Sequence, residues 1–379
     1  MAITNGRNLA ELASLINSDG KISAEAFSAE LTASIDPTIY DSASDVPFED
    51  AVKGTQVFVP SEGLLIKLTD SDWYSIDGST GAAAAPTSTQ AQGSVSGYTS
   101  GGYAPPTVVN TIDKFPFAAD GNATDVGDLT QARQGPAGQS STTSGYTSGG
   151  HAPPQVNTID KFPFASDGNA SDVGDLTVSR WTAMGQSSEV SGYTSGGRFG
   201  IPINPIDKFS FASDANATDV GDTLVAVSEG SGSSSTSHGY IAGGDVSPGR
   251  INTIQKFPFA TDANATDVGD LTTVRNNHAG QSSATNGYVS GGAIGNPTFE
   301  ITIDKFPFAS DTNATNVGDL AQARWQAAGQ SSTASGYTSG GYAVPTVNTI
   351  DKFPFAADGN ATDVGDLTQS RQSPAGQQV

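Results

Sequence analysis

A mainly β chain whose residues 93–379 form a six-bladed β-propeller is the fold class that this sequence predicts, on three observations. The dipeptide Gly-Tyr recurs at Gly97, Gly145, Gly192, Gly239, Gly287 and Gly336, so six units follow one another at intervals of 47 to 49 residues. A period of that length suits a propeller blade, a sheet of four short strands, and is too long for one coil of a β-solenoid. Each unit, in turn, divides into four strand-length pieces and shows no helical periodicity. Finally, the chain ends on Ala375-Gly376-Gln377-Gln378-Val379, the opening of a seventh unit, whereas the first unit starts at Gly93 without a clear copy of that opening. The last residues are therefore expected to pair beside Ser96 to Ser100, closing the ring at six blades and leaving no strand edge open.

Before the repeats, residues 1–35 are expected to form an attachment segment of short helices. Leu9, Leu12 and Leu15 recur at helical spacing behind Asn8, a capping residue, and Ser23 is placed to cap a second helix through Leu31. Neither helix is long enough to be stable alone, so each needs a surface, whether its own domain, another protein or a second copy of the chain. Residues 78–92, rich in Gly, Ala, Ser and Thr, read as a linker.

Within the second unit the expected strands are Ala137 to Ser141, Ser144 to Ser148, Asn157 to Ala165 and Asp172 to Arg180. The turn Ser166-Asp167-Gly168-Asn169 separates the last two. Side chains alternate along a strand, so Phe115 and Phe117 share one face and Ile112 takes the other. A blade is covered on both faces by its neighbours, and both sets can be buried. Pro116 donates no hydrogen bond and points to an edge or irregular strand; Ser210 in its place shows that the fold does not demand it.

Composition narrows the function classes. The 379 residues carry a net charge of −22 with only 17 Lys and Arg, which excludes a phosphate-neutralising surface and disfavours an anionic membrane. There is no cysteine, and His151, His238 and His278 are the only histidines, so neither disulfides nor thiolate metal sites are open to the chain. The amino terminus has no apolar stretch of the signal-peptide kind and no run approaches membrane-spanning length, so a soluble protein without membrane insertion is expected.

Hydrophobic strand, Gly-Gly (Gly101-Gly102 and its echoes), variable loop, aromatic strand Ile112-Asp113-Lys114-Phe115, and a segment ending in Arg, as in Asp128 to Arg133: this order resembles the kelch repeat. The resemblance covers residues 93–379. The Trp that kelch repeats place before the Arg segment is missing, although Trp181 and Trp325 directly follow the Arg in two units; in the third unit Val227 replaces the Arg. The near-identity of the units resembles structural proteins of marine bacteriophages that infect cyanobacteria. So does Gly54-Thr55-Gln56-Val57-Phe58-Val59 followed by Leu64 to Leu68 and Asp72-Trp73-Tyr74-Ser75-Ile76, which resembles a small β-module of such virion proteins over residues 36–77. That likeness implies a virion location, as a tail fibre or similar appendage. Residues 1–85 would attach to other virion proteins, with a homo-oligomer through this module as a further option, and the propeller would contact the host surface or its glycans. The alternatives are a virion decoration without receptor binding and a kelch-type protein-interaction module.

Repeated residues are poor candidates for catalysis, because an active site needs one singular constellation. Asp113-Lys114 recurs in nearly every unit and reads as strand-edge polarity, an exposed pair worth little. The recurrent Asp120-Gly121-Asn122-Ala123-Thr124-Asp125 is oxygen-rich like a calcium loop but lacks the EF-hand pattern, and it reads more simply as a turn whose side chains cap backbone groups. Asn122 and its echoes sit in glycosylation sequons that are incidental without a secretory signal. The arginine cluster and Tyr/Glu pair of a sialidase, and the Cys and His of a copper oxidase, cannot be assembled, so no enzyme, cofactor or metal is expected. Where the units differ is more telling. The loop after each Gly-Gly varies, and its residues Tyr103, His151, Arg198, Phe199, Arg250, Phe299 and Tyr342 are the candidate ligand-binding set. Aromatic rings there could stack on sugars, and basic groups could pair with acidic ones.

Overall fold

The computed structural model describes residues 92–379 apart from 296–297, together with the backbone of four strands that precede them. The chain divides into two units, 1–88 and 89–379. In the first, Thr38–Ile39, Gln56–Val59, Gly63–Lys67 and Trp73–Ile76 make one sheet in that order, its first pair parallel and the others antiparallel. The helices expected after Asn8 and Ser23, and all but the last residue of the linker, lie outside the described residues.

The second unit is a ring of six four-stranded antiparallel sheets. Blade 2 runs Ala137–Ser140, Ser144–Ser148, Thr158–Pro163 and Ser171–Asp175 from the axis outward. Blades 3 to 6 repeat this, and blade 1 joins Ser96–Ser100, Thr111–Pro116 and Thr124–Asp128 to a first strand from the other end of the chain, Ala375–Gln378. Ala375 lies opposite Ser100 and Gln378 opposite Gly97, which is the expected closure.

Three strands of blade 2, the first, third and fourth, are shorter than their sequence spans. The fourth strand of blade 2 ends at Asp175, and the stretch to Arg180 is instead the linker to blade 3. The register with the third strand shifts between Asp172 and Gly174, where Val173 has no partner. Pro116 meets one of its two expected settings: its strand is an inner one, third of four, but irregular, with a register shift between Ile112 and Asp113. The proline is tolerated because it is the last residue, past the end of the pairing with Thr124–Asp128, where no donor is required.

The alternation of side chains holds. Phe115 and Phe117 pack on Tyr337 of blade 6, while Ile112 faces the cluster of Tyr98, Phe162 and Phe164. A Tyr stacked near a Phe-x-Phe pair recurs at every joint, with centroids 4.7 to 5.6 Å apart for blade 4 against blade 5. Such contacts add about 0.5–1.5 kcal/mol each beyond their buried area. The blades meet still more closely at the axis. A Cβ on Gly232 would stand 2.0 Å from Gly185 O, and the same glycine position in each blade abuts its neighbour's backbone, from Gly376 round to Gly138. Only glycine fits that approach.

The recurrent Asp is not strand-edge polarity. Asp160 is fully buried and pairs at 3.0 Å with Arg133, itself fully buried in the linker from blade 1. Asp160 also accepts from Thr130 N at 2.9 Å and Thr130 Oγ1 at 2.7 Å, so one carboxylate fastens the whole linker to the following blade. The same pairing joins Arg180 to Asp207, Arg275 to Asp304, Arg324 to Asp351 and Arg371 to Asp113. Only the lysine half of the Asp-Lys dipeptide reaches the surface, where Lys114 bridges to Asp167 of the next blade at 3.0 Å.

The exception is the joint between blades 3 and 4. Val227 stands where the arginine would be, and its partner position carries Gln255 in place of Asp. The two substitutions fall on one contact. Met184, Val227 and Ile241 fill it with an apolar cluster. A buried ion pair has here been exchanged for apolar packing, which is often neutral in stability because it avoids desolvating two charges.

Candidate functional site

Antiparallel blades send alternate connections to opposite ends of the ring. The loops after each Gly-Gly and the linkers between blades therefore share one end, here the loop face; the Asp-rich turns occupy the other. Gly101 and Gly102 turn the chain at φ +64° and +116°, and a Cβ on Gly101 would lie 2.8 Å from Arg133 O. The Gly-Gly thus lets each loop press onto the adjoining linker. Isolated bridges record that contact in every blade, among them Tyr103 with Gln372, His151 with Gln134, Arg198 with Trp181 and Tyr342 with Trp325.

All seven candidate residues lie on this face, in separate groups round the ring. Phe299 stacks on Trp325 with centroids 5.6 Å apart and planes at 12°, and Tyr342 meets Phe299 edge-on at 5.9 Å. His151 sits 5.3 Å from Trp181. Arg198 pairs with Glu229 at 3.0 Å, and Arg250 lies 3.6 Å from Asp245. Tyr103 stands apart in blade 1, half-buried. Only Phe199, 57% exposed, is an open loop residue; the other six are half-buried by these contacts. Phe299 and Tyr342 are therefore not freely exposed loop residues, because Trp325 of the linker packs against both.

Several residues of this face were not legible as site residues. Trp181, Trp325 and Glu229 belong to the linkers, which read as framework because their arginine repeats. Their signal lay in the one or two positions after that arginine, which differ from unit to unit. Glu229 takes hydrogen bonds from Asn276 Nδ2 at 2.8 Å and Asn277 Nδ2 at 2.6 Å besides its ion pair. Burial, and then the charge of Asp245, pushes its carboxyl above the ordinary value, against the pull of Arg198 and the two amides.

The linkers also build a collar round the axis. Gly135, Thr182, Glu229, Asn277, Gln326 and Ser373 occupy equivalent positions, all left-handed, with φ from +50° at Thr182 to +62° at Gly135. Each donates its N–H to the carbonyl of the residue before it in the ring, Thr182 to Gly135 at 2.7 Å and Gly135 to Ser373 at 2.8 Å, so six hydrogen bonds close a circle. Inside the collar the channel is lined by Gly, Ala, Ser and Gln, with Pro136, Pro374, Met184 and His278; the lining holds no carboxylate, Lys or Arg. Among the described residues no group of three His, Cys, Asp or Glu could hold a metal ion. In the Asp-rich turns the oxygens have other partners: Asn122 Oδ1 accepts from Asp366 N at 3.1 Å, and Asp120 pairs with Lys352 at 2.9 Å.

The loop face is also where apolar surface is left open. Of the ten large apolar side chains exposed among the described residues, only Val95 and Val190 lie elsewhere. Val178, Phe199, Ile201, Leu224, Val225 and Val274 fall in the arc from the linker between blades 2 and 3 to the linker between blades 4 and 5. At the linker position of Val178 and Val225 the other linkers carry Gln131, Thr273, Gln322 and Gln369.

His278, in the linker from blade 4 to blade 5, is buried with neither ring nitrogen hydrogen-bonded. Burial first, and Arg275 second, drive its pKa down to about 3. The folded state thus excludes a proton that the unfolded chain binds below about pH 6.5. The penalty linked to its protonation is absent above that pH and grows as pH falls towards 3, by about 1.4 kcal/mol per pH unit at most. Glu229, with its raised pKa, acts in the opposite sense. His278→Ala, the residue found at equivalent positions 183 and 327, should therefore flatten the loss of melting temperature between pH 6 and 4. Parallel acid limbs for the two proteins would refute this.

No protein-family model matches the sequence, and no curated protein is similar enough to it to count as a match.

Proposed function

We propose that this chain is a non-enzymatic appendage of a bacteriophage virion, a tail fibre or similar part, whose loop face binds the host cell surface through its glycans. The supporting observation is the distribution of difference. Buried strands, joints and turns repeat from blade to blade, while aromatic, basic and exposed apolar residues vary along the loop face and nowhere else to the same extent. A surface kept in register by six closely similar supports, yet unlike itself in each sector, suits recognition better than catalysis. The channel lining, without a carboxylate, offers no acid–base pair for glycan hydrolysis. Residues 1–85, unlike the repeats in composition, would attach the chain to other virion proteins or to further copies of itself.

The test is adsorption of the labelled full chain to cyanobacterial cells, wild type against Phe199→Ala/Ile201→Ala. Both side chains are exposed, at 57% and 70%, so melting should change little. Adsorption should weaken about tenfold or more, since exposed aromatic and apolar anchors dominate interface energy. Equal adsorption of the two proteins would leave the ring as a virion decoration or as a module for some other partner.

A further inference from the structure

Trp181 and Trp325 stand in the linkers between blades 2 and 3 and between blades 5 and 6. Three blades separate them in either direction round a ring of six, so they lie at opposite ends of one diameter of the loop face. Each touches both flanking loops: Trp181 lies beside the His151 ring and joins Arg198 through backbone hydrogen bonds, and Trp325 lies between the rings of Phe299 and Tyr342. Beside each tryptophan the next residue belongs to the collar, Thr182 in one case and Gln326 in the other. Thr182 Oγ1 and Gln326 Oε1 have no hydrogen-bond partner, nor have His151 Nδ1 and Trp325 Nε1. Unpartnered polar atoms and aromatic rings thus coincide at the same two places.

The collar adds a cost that needs a reason. A non-glycine residue held left-handed is strained by its Cβ, and Gly135 shows that glycine serves at this position. Five of the six collar residues nevertheless keep a side chain, each of them polar. Strain retained where glycine would relieve it points to a use for those side chains.

We infer that the loop face binds a single carbohydrate polymer laid across its diameter, held by stacking and hydrogen bonds at two tryptophan-centred subsites with the polar collar between them. This rests on the recognition reading above and makes it specific. Sugar rings present an apolar face for an aromatic wall and hydroxyls that both donate and accept. Thr182, Gln326 and Ser373 supply uncharged partners along the path; the acidic side chain of Glu229 is already held by Arg198, Asn276 and Asn277. The unpartnered collar atoms are covered in the free ring, so engagement includes a rotation of those side chains. Two subsites joined by one polymer make the second contact intramolecular, which raises avidity by about 10²–10⁴ over a single subsite.

The experiment uses the full chain and two probes: envelope polysaccharide extracted from cyanobacterial cells, and the same material hydrolysed to di- and trisaccharides. Calorimetry should find two short fragments per wild-type chain, one for Trp181→Ala, one for Trp325→Ala and none for the double variant. Affinity for the intact polymer should fall about 100-fold in either single variant. Thr182→Gly/Gln326→Gly guards against misfolding, since it should raise the melting temperature by relieving strain while weakening the polymer. A stoichiometry of one, or polymer affinity within threefold of wild type in a single tryptophan variant, overturns the two-subsite site but leaves recognition standing. Failure of the wild-type chain to bind the intact polymer overturns both.

Discussion

Removing residues 375–379 is expected to open the ring and leave a chain that aggregates rather than folds. Those residues supply the first strand of blade 1, paired from Ala375 opposite Ser100 to Gln378 opposite Gly97. Gln377 Nε2 donates to Ser100 Oγ at 2.9 Å, to Tyr146 O at 3.0 Å and to Thr147 Oγ1 at 3.0 Å, so one side chain ties blade 1 to blade 2. Gly376 completes the circle of inner glycines between Gly329 and Gly138. The truncated chain loses those bonds and bares Ser96–Ser100, a buried strand with no cover. An uncovered inner edge is a template for pairing with another chain. The combined loss should approach the whole stability of a domain, about 5–15 kcal/mol. Thermal unfolding and light scattering read the outcome. A truncated protein that stays monomeric and melts within a few degrees of wild type would show that the ring does not depend on this closure.

The repeat made the blade number, the closure and the two-sided aromatic packing readable from sequence, because all three follow from period and alternation alone. What the repeat hid was partnership. Arg133 and Asp160 stand 27 residues apart with no local reason to meet, and a recurring Asp-Lys dipeptide looks like surface polarity until the curvature of the ring turns its Asp inward against the linker. Val227 and Gln255 were both visible as departures from the consensus, but only the geometry shows that they are two halves of one contact. The candidate face was partly readable, since loops after Gly-Gly must emerge together. The tryptophans beside it were seen but not assigned, because a linker position gives no hint of which loop it will touch. The collar could not be read at all: its residues differ in type, and only their shared backbone conformation and their circle of hydrogen bonds make them a set.

Asp160→Ala alone is expected to cost about 3–5 kcal/mol, and a four-residue transplant from the joint between blades 3 and 4 to recover most of it. The single change leaves the Arg133 guanidinium fully buried without its carboxylate, and Thr130 N and Oγ1 without their acceptor. Burial already depresses the Arg133 pKa, opposed first by Asp160, so removing the acid takes away the chief partner of the charge. The apolar joint offers a solution already present in the same molecule. Arg133→Val, Asp160→Gln, Thr147→Ile and Ala375→Met reproduce Val227, Gln255, Ile241 and Met184 at the equivalent places. Gln255 Oε1 accepts from Leu224 N at 2.6 Å, so the new Gln can keep the hydrogen bond that fastens the linker at Thr130. Its amide nitrogen has no partner in the natural joint, which leaves a residual cost of about 1–3 kcal/mol. Denaturant unfolding of wild type, Asp160→Ala, Arg133→Val/Asp160→Gln and the fourfold variant reads the series, with the fourfold protein within about 2 kcal/mol of wild type and clearly above the single variant. If the fourfold protein is no more stable than Asp160→Ala, apolar packing does not substitute for the ion pair at this joint, and the tolerance between blades 3 and 4 must come from other neighbours. If Asp160→Ala itself costs less than about 1 kcal/mol, the buried pairs do not hold the blades, and the aromatic joints and the axial glycines carry the ring.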